Sequence, residues 1–311
     1  MYDIITIGSS VVDIFVVSSN FHVSKTDQGV ELCQRYGAKL DVESFTIRSG
    51  GGGSNTAVGF ARLGFRVAAV SETGKDDFSK IVLDDLHKNK VATNLVVQER
   101  KEETGGSVVL IGRDGGRTIL VHRGASTMLD PKDLPLEHIG RARWIHLSSL
   151  SGRLDTLTTL FKHLAKYPRY KLSWNPGGKE LALLKTKQIH ITAVPAEVFS
   201  VNREEWNLLK GVRDQIVANV PQIVITEGKK GCEVIIKGVS RHFPSKSVKS
   251  IDDTGAGDAF ITAYVAAQLR GQLPETAVAW AVANAASVVQ DVGAKPGLLR
   301  LRDMEKVKSV S

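Results

Sequence analysis

Short runs rich in β-branched and aromatic residues alternate along this chain with stretches of helical periodicity, and that alternation leaves few folds open. Strands are expected over residues 4–7, 67–70, 144–147, 172–174, 198–201, 223–226 and 232–236. Helical patterns fall over 55–63, 78–89, 156–166, 204–210, 259–269 and 275–290. Strands separated by helices pair in parallel, because each helix carries the chain back to the starting edge, so the pattern predicts an α/β protein with a parallel sheet flanked by helices. With 311 residues and 42% apolar content the chain can bury a large core as one domain spanning 1–311. Two segments break the rhythm. Residues 13–47 and 104–121 carry strand-like alternation and turn glycines without an amphipathic helix.

Composition removes several function classes. No apolar run approaches the ~20 residues a membrane helix needs. Residues 1–8 lack a basic start and a cleavage site, read as a first strand, and point to the cytoplasm. Cys33 and Cys232 are too few and too far apart for a disulfide framework or a zinc site, and the eight histidines show no ligand spacing. The net charge of +8 is scattered in pairs such as Lys229-Lys230 and in Lys246 and Lys249, with no long basic block and no recognition helix. That pattern predicts a solvated basic surface suited to anionic small molecules, with no nucleic-acid partner.

Two glycine clusters carry chemistry. In Asp252-Asp253-Thr254-Gly255-Ala256-Gly257-Asp258, small residues precede an apolar, Ala-rich helix running to 269. Gly255, Ala256 and Gly257 leave backbone N–H groups bare at the positive end of the helix dipole, and Asp258 stands in the first turn beside them. A carboxylate next to a place for negative oxygen suits phosphoryl transfer, although an ordinary helix start also favours Asp. Upstream, Gly50-Gly51-Gly52-Gly53-Ser54-Asn55-Thr56-Ala57 reads as a loop, a Ser54 N-cap and a short helix stopped by Gly64. Glycines there let a ligand approach the main chain.

Together these clusters resemble the two signature motifs of the ribokinase-like (PfkB) carbohydrate kinase family, with Asp253 where Thr is common. Lesser matches are Ile7-Gly8-Ser9-Ser10-Val11-Val12-Asp13, Gly116-Arg117-Thr118-Ile119, Asn202-Arg203-Glu204-Glu205, Thr226-Glu227-Gly228-Lys229-Lys230-Gly231 and the segment 284–296. The resemblance implies a three-layer α/β/α fold with a mainly parallel sheet, plus a small β-sheet lid formed by 13–47 and 104–121. It implies an ATP- and Mg²⁺-dependent kinase acting on a hydroxyl of a sugar or nucleoside, with Asp258 as base and 255–257 as anion hole. Asp13, Gly51, Gly52 and Asn55 would bind the acceptor. Asn202, Thr226, Gly228, Gly231 and Asn284 would line the nucleotide site, with Glu205 organising Mg²⁺ through water. Asp252 would hold a monovalent cation, K⁺, with main-chain oxygens of 294–296. A lid of this type is often shared between two subunits, so a homodimer is expected.

Local readings stay open beside these. Asn202 followed by Glu205 is also a capping box, Gly228 and Gly231 also suit a hairpin turn, and Asn284 also suits a satisfied buried amide. For the acceptor, Lys39 and Arg123 in the lid-like segments would suit an anionic group, and Phe15, Phe21, Tyr36 and Phe45 would suit a nucleobase. A neutral sugar or nucleoside ranks first and a sugar phosphate second. A non-catalytic sugar- or nucleotide-binding protein on the same fold is the rival from another class. The first turn lacks the Gly-x-Gly-x-x-Gly of a dinucleotide site, and no P-loop motif is present.

Overall fold

The computed structural model describes residues 1–27, 29–113, 116–167 and 169–307. The chain opens with β1 (Ile4–Ile7), β2 (Val11–Val17), β3 (His22–Thr26), β4 (Gly29–Cys33), β5 (Ser44–Gly50) and α1 (Gly52–Arg62). It continues with β6 (Val67–Val70), β7 (Glu72–Thr73), α2 (Asp77–Lys88), β8 (Val97–Gln98), β9 (Gly106–Ile111), β10 (Arg117–His122) and α3 (Leu136–Ile139). Next come β11 (Trp144–Leu147), α4 (Leu154–Ala165), β12 (Lys171–Trp174), α5 (Gly178–Lys185), β13 (Ala196–Asn202), α6 (Arg203–Leu208) and α7 (Arg213–Asn219). The last elements are β14 (Gln222–Thr226), β15 (Cys232–Ile236), β16 (Val239–Phe243), α8 (Ala256–Leu269), α9 (Pro274–Val288) and α10 (Leu301–Met304).

Eight strands form one sheet in the order β16-β15-β14-β13-β12-β11-β1-β6. From β6 to β14 all pairs are parallel, as the helical crossovers require, and β15 and β16 are added antiparallel through a hairpin. Strand alternation sends Ile5, Ile7 and Leu147 to one core with α4, α5 and α7, while Ile4 and Trp144 meet α1, α2, α8 and α9 on the other face. Three layers result. The Ala-rich run becomes α8, buried continuously from Ala259 to Ala267, as a helix apolar on all sides must be.

Close packing of α1 on α8 is what builds the site. A Cβ at Gly59 would lie 2.7 Å from Thr262 Cγ2, so glycine is what lets these two helices touch and their N-termini converge. The four-glycine cluster is not a loop ahead of a Ser54 cap. The helix starts at Gly52 behind an N-cap at Gly51, whose φ is +91°, and Ser54 is a fully buried helical residue. Gly64, with φ +86°, ends the helix as expected.

A second sheet, β10-β9-β2-β5, stands apart, with the hairpin β3-β4 inserted between β2 and β5. These strands occupy the two segments that broke the strand-helix rhythm, extended at their ends to Val11, Gly50 and His122, and residues 114 and 115 lie outside the described ones. Register puts Ile14, Ile47, Val108 and Leu120 on one face of this sheet and Asp13, Arg48, Ser107 and Val121 on the other. On the first face Phe45, Ile47 and Leu120 are 62%, 40% and 57% exposed.

Candidate active site

At the start of α8 the chain turns through Gly255, whose φ is +77° and whose missing Cβ would stand 2.2 Å from Ala294 Cβ. Both facts demand glycine there. Asp258 follows as the third helical residue, and Asn55 of α1 donates its Nδ2 to Asp258 Oδ2 at 2.8 Å. The N–H groups of this first turn have no helical acceptor ahead of them, so the carboxylate lies beside a place fit for an anion. Burial pushes the Asp258 carboxyl above its ordinary value, opposed by the Asn55 hydrogen bond and the charge of Lys295.

The glycine cluster links this carboxylate to another. A Cβ on Gly50 would fall 2.0 Å from Asp13 Oδ2, while one on Gly52 would fall 3.0 Å from Ser148 Oγ and 3.6 Å from Asp258 Oδ1. Asp13 accepts a 2.6 Å hydrogen bond from Ser107 Oγ, and burial raises its carboxyl too. Asn55 Oδ1 and Ser148 Oγ are buried along the same path without a protein partner. Polar atoms in that state normally have a partner, so Asn55 Oδ1 and Ser148 Oγ each have an acceptor or donor position left to fill.

Lys295 was not singled out from the sequence, yet it is a buried cation whose charge acts on both carboxylates. It is 6% exposed and its Nζ donates to Ser49 Oγ at 2.7 Å, to Asp85 Oδ2 at 2.7 Å and to Ser54 Oγ. Those serines flank the glycines, so the ammonium ties the cluster to α2 while opposing the burial of Asp13 and Asp258. Ser107 and Ser148 were missed as well. A lysine between Gly293-Ala294 and Pro296 was the one available sign of Lys295. Replacing it with methionine removes a cation near Asp258, so its carboxyl should rise further. If Asp258 must be ionised to act, the acid limb of the pH profile of kcat/KM should move to higher pH in Lys295→Met. An unmoved limb would separate Lys295 from the carboxylates.

A cavity of about 480 Å³ lies on the other side of Gly257. Thr226, Gly228 and Gly231 line it, and Phe260, Val282, Ala286 and Val289 give it an apolar slot suited to a planar base. Gly228 and Gly231 also turn the chain from β14 into antiparallel β15, so the hairpin turn itself forms part of the cavity wall.

Four expectations change. Asn284 does not line the cavity: it is 1% exposed, donating Nδ2 to the Ala259 carbonyl at 2.8 Å and accepting from the Leu299 N–H at 2.9 Å, so its amide is spent inside the fold. Lys39, Arg123 and Arg48 are all exposed and line neither described cavity, and of the three it is Arg48, not named from the sequence, that pairs in register with Asp13. Of the aromatic set, Phe15 is 1% exposed in the core, Phe45 and Tyr36 are 62% and 103% exposed, and none of the four lines either described cavity. Asp252 is already bound by protein groups: Arg117 Nη1 at 2.9 Å, Thr254 Oγ1 at 2.6 Å and N–H at 3.0 Å, and the Gly293 N–H at 2.9 Å. Asn202 and Glu205 form the reciprocal capping box, with 2.8 and 2.9 Å hydrogen bonds, and Asn202 pairs in register with Thr226 of the cavity wall.

A family model described as pfkB family carbohydrate kinase matches residues 3–300. The chain is similar to a ribokinase of Mus musculus, 28% identical over 279 residues covering 84% of this chain and 80% of the relative. Its fold resembles that of an Arabidopsis thaliana ribokinase solved with ribose and ATP, with a TM-score of 0.79 at 22% identity over 100% of this chain and 99% of the other. An Escherichia coli protein provisionally assigned as ribokinase II and solved with ATP and Mg²⁺ superposes with a TM-score of 0.81 at 19% identity, covering 99% of each chain.

Proposed function

Because the chain belongs to the pfkB family of carbohydrate kinases, we propose that it transfers the γ-phosphate of ATP to a hydroxyl of a sugar. One observation carries this reading: Asp258 sits at the third position of α8, held by Asn55 and beside the first-turn N–H groups, of which that of Ala256 already donates to the Asp253 carbonyl at 3.3 Å and those of Gly255 and Gly257 are left to face an anion. In this reading the acceptor lies over Gly50–Gly53, bound by Asp13 and by the unpartnered Asn55 Oδ1 and Ser148 Oγ. ATP fills the cavity bounded by Thr226, Gly228 and Gly231, with its terminal phosphate toward Gly257. Asp258 accepts the proton of the attacking hydroxyl as the bond to phosphorus forms, and the N–H groups hold the transferring oxygens. Mg²⁺ would neutralise phosphate charge, organised through water by Glu205, which burial raises and whose capping bond ties it to Asn202.

The aromatic side chain nearest Asp13 in sequence, Phe15, is buried in the core, which favours a sugar over a nucleoside as acceptor. Arg48 beside Asp13 supports a sugar phosphate as second reading. ATP consumption measured over a panel of sugars, nucleosides and sugar phosphates tests all of these. Turnover confined to sugars is expected. Tight sugar binding without turnover would make the chain a binding protein on a kinase fold.

Homodimerisation through the lid fits the apolar outer face at Phe45, Ile47 and Leu120. Sedimentation should give a dimer, and Ile47→Asp with Leu120→Asp should give a folded monomer. A parent chain that sediments as a monomer at micromolar concentration would remove the dimer. No described helix is long and apolar enough to cross a membrane.

A further inference from the structure

We infer that the position at Asp252, which the family resemblance would give to a monovalent cation, is served in this chain by the Arg117 guanidinium, so that turnover needs no K⁺. The inference rests on the kinase reading above. The carboxylate of the expected cation site and two of its three main-chain oxygens already accept from protein donors. Asp252 Oδ1 takes Arg117 together with the hydroxyl and N–H of Thr254, and Oδ2 takes the Gly293 N–H. Of the main-chain oxygens of 294–296 that would complete a cation shell, those of Lys295 and Pro296 accept Arg62 Nη1 at 2.7 and 3.4 Å. A metal ion entering here would have to displace a charge-assisted hydrogen bond to a 6% exposed carboxylate.

Arg117 differs from a diffusing ion in one respect: it is the first residue of lid strand β10. Its Nη1 also reaches Thr254 Oγ1 at 3.3 Å, so the lid donates directly to the turn that leads into Gly255 and Asp258. The charge that holds this turn therefore arrives with the lid. Lid placement and the shape of the anion-binding turn become one event, which a free cation would leave independent.

The test compares K⁺ with tetramethylammonium at matched ionic strength, which keeps screening constant. For the parent enzyme, turnover should differ by less than about twofold between the two ions, and the thermal midpoint should be the same in both. Arg117→Met opens Asp252. In tetramethylammonium its turnover should fall by roughly fivefold or more, the lower range of coupling between sites, and K⁺ should restore part of the loss and raise the melting temperature. Arg117→Lys keeps a cation and should stay insensitive to K⁺. Activation or stabilisation of the parent by K⁺ would overturn the inference, as would an Arg117→Met enzyme that turns over normally without K⁺. The melting arm needs no substrate, so it reads the cation site even if the kinase reading fails.

Discussion

Asp258→Asn is expected to fold, to bind ATP as the parent does, and to lose turnover by at least about 10²-fold, the lower range for a general base. The substitution keeps shape and keeps the Asn55 contact, because the new amide oxygen can still accept the Asn55 Nδ2 hydrogen bond. What it removes is a basic oxygen beside the first-turn N–H groups. Stability should hardly move. Loss of a negative charge at a helix N-terminus costs only about 0.3 to 1 kcal/mol, and relief from burying a carboxylate works in the opposite direction. Steady-state kinetics, ATP calorimetry and a thermal melt separate the possibilities. Near-parental turnover by a folded variant would end the proposed mechanism and leave this segment as a helix start that happens to carry Asp.

The parent's pH dependence follows from the same burial. With the Asp258 carboxyl raised, the ionised form is lost as pH falls at a point above that of a free carboxylate, so activity should decline on acidification earlier than an exposed base would allow. Lys295 limits that rise, and no periodicity in the sequence could have displayed it, because the residues it joins are far apart in the chain.

How much was legible depended on whether the cause was local. Strands such as Trp144–Leu147 and Cys232–Ile236 announced themselves as short apolar runs, since a strand covered on both faces has no polar side to confuse the pattern. The Asp258 turn was legible because Gly-Ala-Gly before an apolar run marks a helix start, although that pattern alone did not say what the start is for. Ser54 was misread for the same local reason: a serine before a helical pattern looks like a cap, and only the buried Lys295 ammonium explains its place inside the helix. Asn284 and Asp252 are engaged by Leu299 and Arg117, contacts between elements distant in sequence that no local pattern could display. The edge strand β16 was missed because four of its five residues are exposed and it carries no apolar run.

Gly50→Ala should cost about 10- to 100-fold in kcat/KM for the acceptor with little change in ATP affinity or fold, and the reason lies in which atom the new methyl meets. The four consecutive glycines are not equivalent. A Cβ on Gly53 would strike the Gly8 main chain at 2.6 Å, and Gly51 holds a φ of +91° with Ser9 O at 2.5 Å, so substitutions there attack the backbone itself. Gly50 has no left-handed φ, and the atom in its way is Asp13 Oδ2 at 2.0 Å, the end of a side chain that can swing aside. The fold therefore escapes the clash by giving up the Asp13 carboxylate position, together with its 2.6 Å bond from Ser107. A hydrogen bond to a charged group contributes about 1.5 to 3 kcal/mol, which at about 1.4 kcal/mol per factor of ten gives the expected loss. If Asp13 holds the acceptor, the loss appears in acceptor KM and is absent from ATP binding. An unchanged acceptor kcat/KM in a folded Gly50→Ala enzyme would move the acceptor away from Asp13, and equal losses for both ligands would mean that the glycine cluster shapes the whole site and not its acceptor half.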